Sequence, residues 1–88
     1  MLKQTTTIIN KAGLHARAAA KLVELTGSLE STVQIGQEKM VDGKSILSLM
    51  MLAAIQGTEV SIEVDGADEE QAMSAILALI QNRFDEPE

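Results

Sequence analysis

The chain has no cysteine, tryptophan or tyrosine, and only one histidine, one proline and one phenylalanine among its 88 residues. The lack of cysteine excludes disulfide bonds, thiol nucleophiles and thiolate zinc clusters. A single histidine cannot assemble a multi-histidine metal site, so we expect neither a metal nor another cofactor. Because Phe84 is the only aromatic residue, aliphatic and methionine side chains must fill the core, which suits helices packed closely on a sheet.

Long apolar runs and a basic surface are also missing. No apolar run approaches the ~18 residues that span a membrane, and residues 1–5 do not begin a signal peptide. We therefore expect a cytoplasmic protein without membrane insertion. The net charge of −6 argues against a nucleic-acid partner, because phosphate backbones attract basic surfaces.

The charge is unevenly distributed along the chain. Residues 1–44 carry six positive and four negative side chains, whereas residues 45–88 carry one positive and nine negative. This division fits a phosphate-handling face on an acidic protein, and it fits a solvated acidic second half equally well.

The hydrophobic pattern predicts a single domain over residues 1–88 with alternating strands and helices. Strands are predicted at residues 2–9, 30–35, 39–41 and 59–64, with a tight turn at residues 36–38. Helices are predicted at residues 16–26, 44–54 and about 68–84. The order βαββαβα predicts an α+β fold, with three helices on one face of a four-stranded antiparallel sheet.

The last helix carries two further signals. Asp68-Glu69-Glu70-Gln71 has the spacing of a capping box, which predicts Asp68 as the residue that caps the helix. Phe84 continues the apolar face of this helix. We expect the acidic tail at residues 85–88 to be frayed.

His15 precedes a run of good helix formers and therefore stands at the start of a helix, where several backbone N–H groups lack an intrahelical partner. A neutral imidazole has a free lone pair that can accept an electrophilic phosphoryl group and release it again. The amides of Ala16 and Arg17 would then face the new negative oxygens, and the Arg17 guanidinium can add charge-assisted hydrogen bonds. A histidine that only caps or packs the helix is the simpler interpretation.

Two stretches predict apolar surface near this site. Ala16 and Ala20 fall outside the core stripe of the first helix, so they should form a small outward patch. In the second helix Ser45 stands at the N-cap position, and Leu49 and Leu52 should face the core. This helix carries four further apolar residues, Ile46, Leu47, Met50 and Met51. Together they give more apolar surface than a two-turn helix needs for one buried side. Core packing is the usual role of such a cluster.

The segment Gly13-Leu14-His15-Ala16-Arg17-Ala18-Ala19, preceded by Ile8-Ile9-Asn10-Lys11, resembles the phosphocarrier protein HPr family, including its NPr branch. A second segment, Asp42-Gly43-Lys44-Ser45 with the helix that follows, resembles the regulatory-serine region of that family. The likeness covers nearly the whole chain. It implies an open-faced β-sandwich, and a carrier that is regenerated in each cycle rather than an enzyme.

The resemblance also implies partners and roles. His15 would accept a phosphoryl group from the phosphohistidine of Enzyme I, which is charged by phosphoenolpyruvate, and pass it to an Enzyme IIA-type protein. Arg17 would stabilise the phosphorylated state, and an HPr kinase/phosphorylase would modify Ser45. Partner docking would use the two apolar stretches, with Ala16 and Ala20 beside part of the Ile46–Met51 cluster, and we expect a monomer.

Some positions depart from the family pattern. The motif usually has proline after the arginine, where this chain has Ala18; proline presets the first helical turn, an effect of about 0.4–1 kcal/mol. Glu24 and Ser48 stand where many sugar-system members have lysine. The sequence leaves open whether the chain serves sugar transport or the nitrogen-related branch.

Two alternatives do not use His15 as a carrier residue. A ligand-binding regulatory domain of the ACT type has a similar length and a similar mixture of strands and helices, and it would be a dimer. The other alternative is an adaptor that uses the Ile46–Met51 cluster, or a relative that is regulated only through Ser45. The presence of both His15 and Arg17 favours the carrier.

Overall fold

Seven regular elements and one short turn of 3-10 helix follow each other along the chain in the computed structural model, which describes residues 1–88. The elements are β1 (Leu2–Thr7), α1 (Ala16–Thr26), β2 (Thr32–Gly36), β3 (Met40–Asp42), α2 (Ile46–Met50), β4 (Glu59–Asp65), α3 (Glu69–Gln81) and the 3-10 turn (Arg83–Asp85). The strands form one antiparallel sheet in the order β1-β4-β2-β3. The predicted α+β fold with order βαββαβα is confirmed. No helix combines the length and apolar character needed to cross a bilayer.

The core lies between the sheet and the helices. Val60, Ile62 and Val64 alternate along the central strand β4 and are at most 1% exposed. They belong to one continuous buried cluster with Leu22 of α1 and Ile76 of α3. The alternation in the sequence arises because successive side chains on a strand point to opposite faces, so one face of β4 packs under the helices.

The β2–β3 hairpin is shifted from the prediction, with β2 at residues 32–36 in place of 30–35 and β3 at residues 40–42 in place of 39–41. Gly36 belongs to β2, where it pairs with Met40, and does not begin the turn. A Cβ atom at position 36 would lie 2.1 Å from the Lys39 carbonyl oxygen. Glycine is therefore required by this close approach of two strands, which strand periodicity does not reveal.

Helix α2 is shorter than predicted, five residues in place of a segment spanning 44–54. Ala53 has a left-handed backbone (φ 51°) and the chain then turns back toward α1. The Ala54 carbonyl oxygen accepts a hydrogen bond from the Leu14 amide at 2.8 Å. This tertiary contact overrides the helical propensity of the segment.

Asp68 is the N-cap residue of α3, as the sequence predicts, but the predicted capping box does not form. The Asp68 side chain makes no hydrogen bond to its own helix. It accepts hydrogen bonds from the amides of Glu30 (3.0 Å) and Ser31 (2.9 Å) and from the Ser31 hydroxyl. The carboxylate therefore joins the start of β2 to the start of α3. Local spacing cannot show that amides nearly forty residues away compete for it.

This junction should make stability depend on pH. Hydrogen bonds from the Ser31 hydroxyl and the Glu30 amide lower the pKa of Asp68. A depressed folded-state pKa contributes stability above the ordinary aspartate pKa of about 3.9 and loses it as the pH falls through the depressed value. We expect Asp68→Asn to lower the urea midpoint at pH 7 and to differ much less from the unsubstituted chain near pH 2.

The control is Glu70→Gln, which neutralises an exposed carboxylate in the same helical turn. Equal losses for the two variants at pH 7 would contradict the role of the Asp68 junction.

Candidate functional site

His15 is the N-cap residue of α1, as the sequence predicts. Its backbone is extended (φ −84°, ψ −177°), and its carbonyl oxygen accepts the first helical hydrogen bond, from Ala19, at 2.8 Å. Its Nδ1 atom accepts a hydrogen bond from the Arg17 amide at 3.3 Å. About a third of its side chain (33%) is exposed. The imidazole is therefore fixed by the start of the helix and remains open to a partner.

The loop before His15 is held by close contacts. Gly13 has a left-handed backbone (φ 72°), and a Cβ atom there would lie 2.6 Å from the Ala54 carbonyl oxygen. Leu14 is buried, 5% exposed. Because Leu14 enters the core and its amide is bound by Ala54, the next residue, His15, is directed outward.

Arg17 and Ala16, the predicted phosphate-binding residues, lie in the first turn of α1 and are exposed. The amides of this turn have no acceptor four residues earlier in the helix, as at every helix N-terminus. They confer partial positive charge, to which the Arg17 guanidinium adds a full charge. The structure thus brings His15, Ala16 and Arg17 together at one helix end.

The tail was predicted to be frayed, and this is wrong. Arg83, Phe84 and Asp85 all have left-handed backbones (φ 58°, 53° and 63°), so α3 does not continue to Phe84. The Phe84 ring is buried, 3% exposed. This reversal sends residues 83–88, here termed the C-terminal strap, back across the start of α1. Burial of the aromatic ring offsets the cost of the unusual backbone.

Glu86 of the strap contacts the histidine. Its Oε2 atom lies 2.5 Å from Nε2 of His15, and its Oε1 atom accepts a hydrogen bond from Nδ2 of Asn10 at 2.8 Å. Asn10 is fully buried, and its Nδ2 also donates to the Gly13 carbonyl oxygen at 2.7 Å. The distant residue Glu86 therefore joins two residues of the loop before α1 in a connected row, Asn10–Glu86–His15.

The surroundings of Glu86 favour its ionised form. Burial opposes ionisation and is the largest single influence, but hydrogen bonds from Asn10 and His15, with electrostatic attraction to these surroundings and to the Arg17 guanidinium, together lower the pKa of Glu86. An ionised carboxylate only accepts hydrogen bonds, so Nε2 of His15 must be the donor. The Arg17 amide at Nδ1 requires a lone pair there. Both contacts select the Nε2–H tautomer.

A cavity of about 460 Å³ opens beside the ring. It is lined by Lys11, Ala12, His15, Arg17, Glu86, Pro87 and Glu88. Its charged lining residues are two cations, Lys11 and Arg17, and two carboxylates, Glu86 and Glu88. The arrangement presents an unprotonated imidazole nitrogen, backbone amides and a guanidinium to one open space, which suits a group that becomes negatively charged on the histidine.

The apolar cluster of α2 is exposed, so its ordinary interpretation as core is wrong. Ile46 and Met50 are 40% and 42% exposed, and Leu47 and Met51 are 70% and 75% exposed. Leu49 is buried as predicted, and Leu52 is half-buried. Ile55, which the sequence analysis did not select, is 70% exposed beyond the short helix. We call Ile46, Leu47, Met50, Met51 and Ile55 the apolar patch.

The patch lies on the same side of the molecule as the start of α1. Helices α1 and α2 pack together, and the Leu14–Ala54 hydrogen bond joins the residue before His15 to the residue before Ile55. Ala16 and Ala20 on α1 are exposed, as predicted, while Ala18 and Ala19 are buried. Exposed apolar groups of this number are typical of an interaction surface.

Ser45 caps α2, as predicted. Its hydroxyl oxygen accepts a hydrogen bond from the Ser48 amide at 3.2 Å, and the residue is half-buried. The hydroxyl lies immediately before the first patch residue, Ile46.

Sequence reasoning missed Asn10 and Glu86. Glu86 is separated from His15 by 71 residues and occupies an acidic tail whose composition is typical of disorder. Asn10 reads as an ordinary turn residue. Neither carries a local signal for its contact, since both depend on the reversal at Arg83–Asp85.

Comparison with known proteins agrees with the geometry. A family profile described as "PTS HPr component phosphorylation site" matches residues 2–82. The phosphocarrier protein HPr of Cupriavidus necator is 56% identical, with both chains covered in full, and that of Pseudomonas aeruginosa is 52% identical over 93% of each chain. A crystal structure of HPr from Thermoanaerobacter tengcongensis superposes with a TM-score of 0.95 at 38% identity, covering both chains completely. The chain therefore belongs to the HPr family of phosphocarrier proteins of the phosphotransferase system.

Proposed function

We propose that this protein carries a phosphoryl group on His15, accepting it from Enzyme I and delivering it to an Enzyme IIA-type protein. The observation that carries the proposal is the state of the imidazole: its Nδ1 lone pair lies at the N-terminus of α1 beside Arg17, while Nε2 is held by Glu86. The protein acts as a stoichiometric carrier and not as an enzyme. It is itself modified by the phosphoryl group that it receives, and it is regenerated when it releases that group.

The transfer step needs no proton movement at the acceptor. The Nδ1 lone pair attacks the phosphorus of the donor phosphohistidine, a new N–P bond forms, and the donor N–P bond breaks with its electron pair returning to the donor imidazole. The proton on Nε2 stays in place. The receiving ring becomes a phosphorylated cation, and the phosphoryl oxygens carry the negative charge.

The first turn of α1 stabilises those oxygens. The Arg17 amide, which now points at Nδ1, is directed toward a group bound there, and the Ala16 amide shares its helix terminus. A hydrogen bond to a charged group contributes about 1.5–3 kcal/mol, so these donors hold the phosphoryl group without trapping it. Exposure of the ring allows the acceptor to reach it.

Membership of the HPr family replaces the alternative of an ACT-type domain. Membership of the family favours a cytoplasmic carrier. The exposed His15 ring allows it to meet each partner in turn. A solved HPr from T. tengcongensis is described as a dimer, with a TM-score of 0.77. For the present chain we propose a monomer, because a partner must reach both His15 and the patch.

Incubation with phosphoenolpyruvate and Enzyme I tests the carrier role. We expect the intact mass to increase by one phosphoryl group, the modification to be labile in acid, and His15→Ala to abolish it, since no other imidazole exists in the chain. Ser74→Ala, at an exposed position of α3 outside the site, serves as the folded control that remains phosphorylated. Absence of modification of the unsubstituted chain, or retention of it in His15→Ala, would refute the proposal.

Docking is the second part of the proposal. Ala16, Ala20, Ile46, Leu47, Met50 and Met51 form the surface on which Enzyme I and the acceptor bind. Burying an exposed leucine or methionine contributes about 1.5–3 kcal/mol. We expect the double variant Leu47→Ala/Met51→Ala to raise the KM of Enzyme I for this protein about tenfold or more, with a smaller effect on kcat.

These two side chains are at least 70% exposed, so the thermal midpoint should stay within a few degrees of the original. The control is Thr5→Ala, an exposed position on the uncovered sheet face. An unchanged KM in the double variant would argue against docking through the patch.

Regulation at Ser45 is the third part. An HPr kinase/phosphorylase would place about −1.5 to −2 charges at the start of α2, directly before Ile46, and so disfavour docking of an apolar or acidic surface. We expect Ser45→Asp to slow phosphorylation by Enzyme I without changing the melting curve, because aspartate is also a favourable N-cap residue.

The matched control is Ser74→Asp, the same substitution at an exposed position on α3. Equal phosphorylation rates for Ser45→Asp and the unsubstituted chain would remove the regulatory proposal. A rate lowered equally by Ser74→Asp would assign the effect to net charge.

A further inference from the structure

We propose that Glu86 is a positioning residue for His15 and that Asn10 holds Glu86 in place, so that the three residues present Nδ1 as the phosphoryl acceptor. The inference rests on the proposed carrier function and adds two residues to its site. Neither residue touches the reacting phosphorus; both act through the imidazole.

The strap is anchored independently of His15. Phe84 is buried, the Lys11 amide donates to the Glu88 carbonyl oxygen at 3.0 Å, and Nζ of Lys11 lies 3.4 Å from a Glu88 carboxylate oxygen. These contacts bracket Glu86, whose side chain is only 14% exposed. The carboxylate therefore reaches the ring from a fixed segment of backbone.

Asn10 fixes the orientation of that carboxylate. Its Nδ2 group donates to two acceptors, the Gly13 carbonyl oxygen and Oε1 of Glu86, and this pair of acceptors determines which end of the amide is nitrogen. With Oε1 bound by Asn10, Oε2 is left for Nε2 of His15. Gly13 lies two residues before His15, so the same asparagine connects the loop and the strap.

The imidazole is held at both nitrogens as a result. Nε2 donates to Glu86 at 2.5 Å, and Nδ1 faces the Arg17 amide at 3.3 Å. A carboxylate that accepts from one ring nitrogen selects the tautomer in which the other nitrogen keeps its lone pair. The carboxylate also faces the positive charge that the ring acquires on phosphorylation. The Arg17 amide lies at Nδ1, on the side of the ring that would bear the phosphoryl oxygens.

The test compares Glu86→Gln with Glu86→Asp and Glu70→Gln. A glutamine at position 86 has one accepting and one donating end, so it cannot accept from both Asn10 and His15. Aspartate keeps two accepting oxygens on a shorter side chain. Glu70→Gln makes the same substitution at an exposed carboxylate of α3 outside the site, and is the matched control.

Two readouts are measured on each protein. The tautomer of His15 is read from the ¹⁵N shifts of its ring in the unphosphorylated protein, and the phosphorylation rate is measured with phosphoenolpyruvate and Enzyme I. In Glu86→Gln we expect the ring to become a mixture of tautomers and kcat/KM to fall about tenfold, the lower range for loss of a group that orients a functional histidine. Glu86→Asp should recover part of the tautomer preference and part of the rate, and Glu70→Gln should change neither.

Unchanged tautomer and rate in Glu86→Gln would overturn the proposal, as would equal effects in Glu70→Gln. If the unsubstituted chain accepts no phosphoryl group, the carrier function fails, while the ring spectra still decide whether Glu86 positions His15. If Glu86→Gln does not fold, Glu86→Asp is the deciding variant. Its His15 ring must then show more of the Nδ1–H tautomer than the ring of the unsubstituted chain.

Discussion

The close approach between the loop before α1 and the chain after α2 determines the rest of the functional surface. Gly13 fits against the Ala54 carbonyl oxygen because it has no Cβ, and Leu14 is bound by the same carbonyl through its amide. This contact ends the second helix early, turns Leu14 into the core and His15 outward, and brings the apolar patch beside the histidine. A side chain at position 13 would push these segments apart.

The site combines access with restraint. The His15 ring is held at both nitrogens, yet a third of the side chain remains exposed. A carrier needs both properties, because an enclosed ring would not reach two partner proteins and an unrestrained ring would present the wrong nitrogen for part of the time. The N-terminus of a helix provides access, since its amides point outward. The strap, which crosses this terminus, restrains the ring.

The charges of the site are arranged by position around the ring. Two cations, Lys11 and Arg17, and two carboxylates, Glu86 and Glu88, line the cavity. Glu86 is the one carboxylate in contact with the ring, and it lies on the Nε2 side, away from the nitrogen that would bear the phosphoryl group. A carboxylate beside Nδ1 would repel phosphoryl oxygens, whereas at Nε2 it favours the positive ring.

The sequence by itself determined the strands, the order of the elements, the bounds of α1, and the place of His15 and Arg17 at a helix start. These features follow from side-chain periodicity and from helix propensity, which act over a few residues. Ser45 was predictable as a cap for the same reason. Only the tertiary structure decided the length of α2, the partners of Asp68, the exposure of the patch, and the contacts of Asn10 and Glu86 with the site. Those depend on which distant segments meet, because a hydrogen-bonding group takes the partner that the fold brings within about 3 Å, whatever the local pattern favours.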